Sequence, residues 1–111
     1  MSAITTHVLD TARGRPAAGV PVRLEAVGAD GVTTLAEAAT NQDGRVPELG
    51  PDAIEAGTFR LTFDTAAYFK ATDQPTFFPE VSLTFNVEDP SQHYHVPVLL
   101  SPFALSTYRG S

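Results

Sequence analysis

Along most of this chain, apolar and polar residues alternate with period two, the pattern of strands that bury one face. Ile4 to Leu9 reads as a first strand, with Thr5, His7 and Leu9 on the face opposite Thr6 and Val8. A polar loop, Asp10 to Pro16, follows it. From Gly19 to Val27 the apolar set is Val20, Val22 and Leu24, against Pro21, Arg23 and Glu25. Gly28-Ala-Asp-Gly31 is a turn signal, and Val32 to Ala39 returns as a hairpin partner. Asn41-Gln-Asp-Gly44 makes another turn and delivers Arg45 onto a short extended piece; a Pro/Gly-rich loop then runs to about Gly57. Phe59, Leu61 and Phe63 alternate with Arg60 and Thr62, after which Asp64 is placed to cap a short helix through Ala71. Val81, Leu83, Phe85 and Val87 form the next strand. His93 to Leu100 and Phe103 to Tyr108 supply the last two, joined at Ser101-Pro102. Seven or eight short strands with one small helix predict an all-β sandwich.

One strand departs from the half-buried rule. In His95-Val-Pro-Val-Leu-Leu100, the set Val96, Val98 and Leu100 suits the core. The opposite set, His95, Pro97 and Leu99, is too apolar for water, so something is expected to cover it, most simply a second subunit. Pro97 lacks a ladder donor, a feature of edges and bulges that the sequence does not explain.

Composition narrows the functional classes. A chain of 111 residues is expected to form one domain, spanning residues 1–111. The formal charge of −6, from 7 Lys+Arg against 13 Asp+Glu, argues against nucleic acid and anionic membranes as partners. It leaves room for a small anionic ligand, which responds to local charge. There is no cysteine, so thiolate and disulfide chemistry drop out. No apolar run approaches a membrane span and the first residues do not form a signal peptide, so the expected compartment is the cytosol.

The residues able to do chemistry are few. His7 falls on the outer face of the first strand and is a possible general base, or an ordinary surface histidine. His93 and His95, at i and i+2, share one face; they could ligate a metal, but no carboxylate stands at ligand spacing. His95 lies inside the apolar run and needs a hydrogen-bonding partner or a task. Arg45 offers a planar fork for carboxylates and paired carbonyl/amide edges, or is a solvated turn residue. Tyr108-Arg-Gly-Ser111 would ordinarily fray, unless the strand leading into it is paired. The Gly-x-Ser-x-Gly elbow, the glycine-rich phosphate loop and the His-Glu-x-x-His helix are all absent.

Taken together, Thr6-His-Val-Leu-Asp10 with Gly14-Arg-Pro-Ala17, Thr40-Asn-Gln-Asp-Gly-Arg45, His93-Tyr-His-Val-Pro97, Leu100-Ser-Pro102 and Tyr108-Arg-Gly-Ser111 resemble the 5-hydroxyisourate hydrolases, the transthyretin-like enzymes of urate degradation. Asp64-Thr-Ala-Ala-Tyr-Phe-Lys70 resembles that family's short helix. His93-Tyr-His-Val-Pro97 and the closing tetrapeptide are the parts that separate the hydrolases from transthyretin itself.

The resemblance implies a transthyretin-like sandwich assembled as a homotetramer, a dimer of dimers, with the sites along a channel between dimers. The implied reaction opens the lactam ring of 5-hydroxyisourate with water, giving 2-oxo-4-hydroxy-4-carboxy-5-ureidoimidazoline. By the same resemblance His7, Arg45, His95 and Ser111 form the catalytic group, and His7, Arg45 and Tyr108 contact this purine-derived substrate. No cofactor and no metal is implied. Arg109, of opposite parity to Tyr108, is left for a subunit interface. The competing expectation is a transthyretin-like carrier that holds an aromatic ligand in the same channel.

Overall fold

A computed structural model describes residues 2–111. Two four-stranded sheets pack face to face. The first has the order β2 (Arg15–Pro16), β1 (Ile4–Asp10), β7 (Tyr94–Ser101), β8 (Ala104–Thr107); the second has β4 (Gly31–Ala39), β3 (Pro21–Gly28), β5 (Gly57–Phe63), β6 (Val81–Val87). The helix α1 (Thr65–Ala71) follows β5, and the Asp64 carboxylate accepts from the Ala67 amide at 3.0 Å as its cap. The predicted alternation is present: Ile4 and Val8 of β1, Val22 and Leu24 of β3, Leu61 and Phe63 of β5, and Val98 and Leu100 of β7 are almost fully buried between the sheets. Removing such apolar surface from water is the main force holding the two layers together.

Four details differ from the sequence pattern. Arg15 and Pro16, expected in a loop, form a two-residue strand against Leu9 and Asp10, which extends β1 by one residue. The β3–β4 register shifts at Leu24/Glu25, leaving Leu35 without an opposite residue, the signature of a bulge. Glu25 is buried although it belongs to the outward set, because Arg23 and Arg60 close over it at 3.2 and 3.7 Å. Leu83 and Phe85 are only half-buried, because β6 is the last strand of its sheet.

The decisive feature is the centre of the first sheet. β1 and β7 run parallel, with Thr5 opposite His95, His7 opposite Pro97 and Leu9 opposite Leu99. Two segments about 90 residues apart in the chain therefore present one shared outer face.

An aspartate anchors the far end of this pair. Asp10 is fully buried, and its carboxylate accepts from the Tyr68 hydroxyl at 2.6 Å, from the Gln74 amide at 3.1 Å and from the Arg13 backbone at 3.0 Å. Burial alone would raise its pKa, but these hydrogen bonds outweigh it and hold the carboxyl below its usual value. Burial and the Asp10 partner push the Tyr68 hydroxyl up to about 12.

Candidate active site

Arg45 reaches the first sheet through a tight turn. The Asn41 side chain accepts from the amides of Asp43 and Arg45, at 2.9 and 3.1 Å, and the Asn41 amide donates to the Arg45 carbonyl at 2.7 Å. Gly44 sits at φ +75°, and a side chain there would strike the Val8 carbonyl, so only glycine fits. Its own carbonyl accepts from the Val8 amide at 2.8 Å. The turn is thus sewn onto β1, and Arg45 bridges His7.

The other boundary is the end of the chain. β8 pairs with β7 from Ser101↔Ala104 to Val98↔Thr107, and the bridge His95↔Gly110 continues the same register. Between them the ladder is interrupted at Tyr108 and Arg109, opposite Pro97 and Val96. Pro97 has no N–H, and its carbonyl accepts from the Thr107 hydroxyl instead, at 2.8 Å. The proline is accommodated at a gap in the ladder. Beyond it, the Gly110 amide recaptures the strand by donating to the His95 carbonyl at 2.8 Å. Gly110 lies so close to the His95 ring that an added Cβ would approach Cδ2 to 2.6 Å. The tetrapeptide is held against His95 rather than frayed.

Thr5, His93, His95, Arg45 and Ser111 line one open recess of about 560 Å³, with Thr6, Asn41, Val46 and Pro47. The Thr5 hydroxyl lies 2.8 Å from His95 Nδ1 and also 2.8 Å from His93 Nε2. Burial, then the Arg45 charge, then His7 and His93, push the His95 pKa below its usual value. His95 is therefore neutral at pH 7, with Thr5 on Nδ1 and no protein partner for Nε2 among the described residues. A neutral imidazole with a free nitrogen facing a recess can accept a proton from water.

The expected site residues are only partly gathered. Arg45, His95 and Ser111 share the recess, while His7 stands beside it through its bridge to Arg45. Tyr108 does not line it. At 59% exposure it borders a second recess of about 320 Å³, which His95 and Arg109 also line, near Ser82, Thr84 and Asn86 of β6. Arg109, expected at a subunit interface, packs within the chain: its guanidinium lies 4.4 Å from the Tyr94 ring centroid, and it donates to Gln92 Oε1 at 2.9 Å. Thr5 was missed by sequence reasoning. Its parity with His7 was readable, but its place opposite His95 required the parallel β1–β7 pairing. Among the described residues, no group of three histidine, cysteine or carboxylate side chains is placed to hold a metal ion. No helix among them is long and apolar enough to cross a membrane.

Residues 4–110 match the HIUase/Transthyretin family. The chain belongs to that family. The 5-hydroxyisourate hydrolase of Deinococcus radiodurans is 51% identical over 113 residues, an alignment covering 97% of this chain and 95% of that protein. The solved Klebsiella pneumoniae 5-hydroxyisourate hydrolase superposes with a TM-score of 0.86 at 37% identity, covering 100% of this chain and 94% of that one. Sea bream transthyretin, solved in complex with thyroxine, superposes with a TM-score of 0.91 at 29% identity, covering 97% and 94%. The family frame is common to a hydrolase and a thyroxine-binding protein. Backbone similarity is slightly higher to the second, but identity is higher to both hydrolases, 51% and 37% against 29%, which supports the hydrolase reading over the carrier.

Proposed function

We propose that residues 1–111 act as one domain that hydrolyses the lactam ring of 5-hydroxyisourate to 2-oxo-4-hydroxy-4-carboxy-5-ureidoimidazoline. The observation that carries this reading is the His95 imidazole, held neutral at a recess that also contains Arg45 and Ser111. Two histidines and an arginine suit a polar, planar substrate and make a poor cage for an apolar aromatic one. The sequence similarity to named hydrolases points the same way.

Opening an amide ring with water needs a base for the water, a stabilised oxyanion and a proton for the leaving nitrogen. His95 Nε2 takes the water proton. Arg45 stabilises the oxyanion and then the product carboxylate with charge-assisted hydrogen bonds. His7, beside Arg45, contacts substrate and supplies a second imidazole for the leaving nitrogen. Ser111 orients substrate at the Gly110 end of the recess. Tyr108 reaches substrate only where a second subunit brings its face toward the channel.

That requirement favours the homotetramer. β6 and β8 are terminal strands, Phe103 is 67% exposed at the β7–β8 turn, and Leu99 on the outer face of β7 is only half-buried. Unpaired edges and part-exposed apolar side chains are both satisfied by copies of the same chain. A tetramer mass by light scattering is expected, and a monomer at working concentration would contradict it.

Following the absorbance of enzymatically generated 5-hydroxyisourate, with and without the protein, tests the function. Accelerated decay is expected, and it is expected to be lost on removing residues 108–111. Tight retention of an aromatic ligand without turnover would favour the carrier instead.

A further inference from the structure

We propose that Thr5 and His93 form a proton exit from the site, with the Thr5 hydroxyl passing the proton collected by His95 to His93 at the mouth of the recess. The inference rests on the hydrolase reading and extends it to two residues that the catalytic group does not include.

The stoichiometry creates the need. Water adds across an amide, one proton going to the leaving nitrogen. That nitrogen becomes part of a ureido group, which is not basic, while the new carboxylic acid is ionised at neutral pH. Each turnover therefore releases one net proton inside the recess. A second subunit over the outer face would close direct routes to bulk water.

The geometry supplies the route. One Thr5 oxygen stands 2.8 Å from His95 Nδ1 and 2.8 Å from His93 Nε2. A hydroxyl has one proton to donate, so it can give to only one of these nitrogens, and the other must itself carry N–H to be hydrogen-bonded. The two histidine tautomers are locked to each other through Thr5. When His95 Nε2 takes a proton from water, the ring becomes an imidazolium. Its Nδ1–H bond then breaks as a Thr5 O–H bond forms, and the former Thr5 proton bonds to His93 Nε2. Positive charge moves from His95 to His93, every proton is accounted for, and no redox partner is involved.

The surroundings give the transfer a direction. His95 is half-buried and faces Arg45, His7 and His93, all of which disfavour its charged form. His93 is exposed just before the first residue of β7, where water can take the proton from its other nitrogen. His95 is left neutral with N–H at Nε2, and His7 protonates the leaving nitrogen and recovers a proton from the new carboxylic acid. After product leaves, Nε2–H passes to entering water while Nδ1 regains a proton through Thr5 and His93, which restores the starting tautomers. Gly110 against the ring carbons keeps Nδ1 aimed at Thr5.

Thr5→Val keeps the side-chain shape and removes the hydroxyl. In dilute buffer it is expected to lower kcat on the order of tenfold, less than a general base itself contributes, because the relay only carries the proton away, with KM unchanged. Thr5→Ser should recover most of the loss. His93→Ala should lower kcat similarly, and added imidazole should restore it in proportion to its concentration, because a soluble base then replaces the missing one. Thermal melts of the variants, matching wild type, would separate this from misfolding. Thr5→Val and His93→Ala with kcat within about two-fold of an active wild type, and no response to imidazole, would overturn the exit while leaving the hydrolase reading intact. An inactive wild type would overturn both.

Discussion

The outer faces of the two sheets are built from similar strands and differ in what their side chains do with one another. On the second sheet the polar residues pair mostly across strands: Thr58 with Asn86, Arg60 with Thr84, Thr62 with Ser82, and Arg60 with Glu25, which also pairs with Arg23 along its own strand. Such cross-strand pairs are ordinary sheet stabilisation, and they leave little free valence for a ligand. On the first sheet, Thr5, His7, His95, Pro97 and Leu99 form a face with one polar cluster in an apolar setting, and Arg45 is brought to its edge by a turn pinned on β1. The cluster joins titratable groups rather than opposite charges. On the second sheet the buried Arg23 Nε and Glu25 Oε1 lack hydrogen bonds but lie within the ion pairs of Arg23, Glu25 and Arg60. On the first sheet the unpaired atom, His95 Nε2, belongs to a residue that lines a recess.

That contrast can be broken most sharply by comparing His95→Ala on the first sheet with Thr84→Ala on the second. A general base contributes about 10²–10⁴ in rate, so His95→Ala should lower kcat by that factor. Thr84→Ala should leave it within about two-fold in the same absorbance assay, since Thr84 accepts from Arg60 and does not line the recess that holds Arg45 and Ser111. Arg45→Lys comes next. Losing the bidentate fork removes hydrogen bonds to charged groups worth about 1.5–3 kcal/mol, a fall in kcat/KM of roughly 10- to 100-fold.

Asp10→Asn moves the test from chemistry to stability. It removes the charge and turns one of the two accepting oxygens into a donor, so the Tyr68 and Gln74 donors lose their shared Oδ2 acceptor while Arg13 can keep Oδ1, and it should cost about 1–3 kcal/mol in a urea melt. The wild-type contribution has a definite sign with pH. A carboxyl held below its unfolded value of 3.8 stabilises above that value and loses the contribution as pH falls through its folded pKa. Acid unfolding of wild type should therefore steepen below 3.8, and Asp10→Asn should lack that component. The smallest effect belongs to the second sheet: Arg23→Ala, which opens a pair that is partly solvent-screened, should change stability by about 0–1 kcal/mol and kcat not at all.

The alternation of Val20, Val22 and Leu24, of Phe59, Leu61 and Phe63, and of Val96, Val98 and Leu100 made the strands and their buried faces legible, because burial on one face is written locally at period two. The Asp64 cap was legible for the same reason: donor and acceptor are three residues apart. The apolar character of the outer face of β7 was legible as well, in His95, Pro97 and Leu99. What was not legible depends on contacts between distant segments. Nothing near Thr5 says that it will stand opposite His95, so the shared hydroxyl between two histidines was invisible until β1 and β7 were seen in register. The burial of Glu25 likewise needed Arg60 from another strand. Pro97 was a puzzle in sequence because its compensation, the Thr107 hydroxyl and the Gly110 amide, comes from the next strand and the tail.

The central claim is that a neutral His95 on the first sheet is the base that opens the ring, and the pH dependence of kcat tests it most directly. Because burial, Arg45, His7 and His93 push the His95 pKa below the ordinary histidine value of 6.5, activity should stay high as pH falls to 6.5 and decline only below it. The residual rate of His95→Ala should show no such decline. A wild-type profile that is flat through this range, or an acid limb of the same position in His95→Ala, would contradict the account.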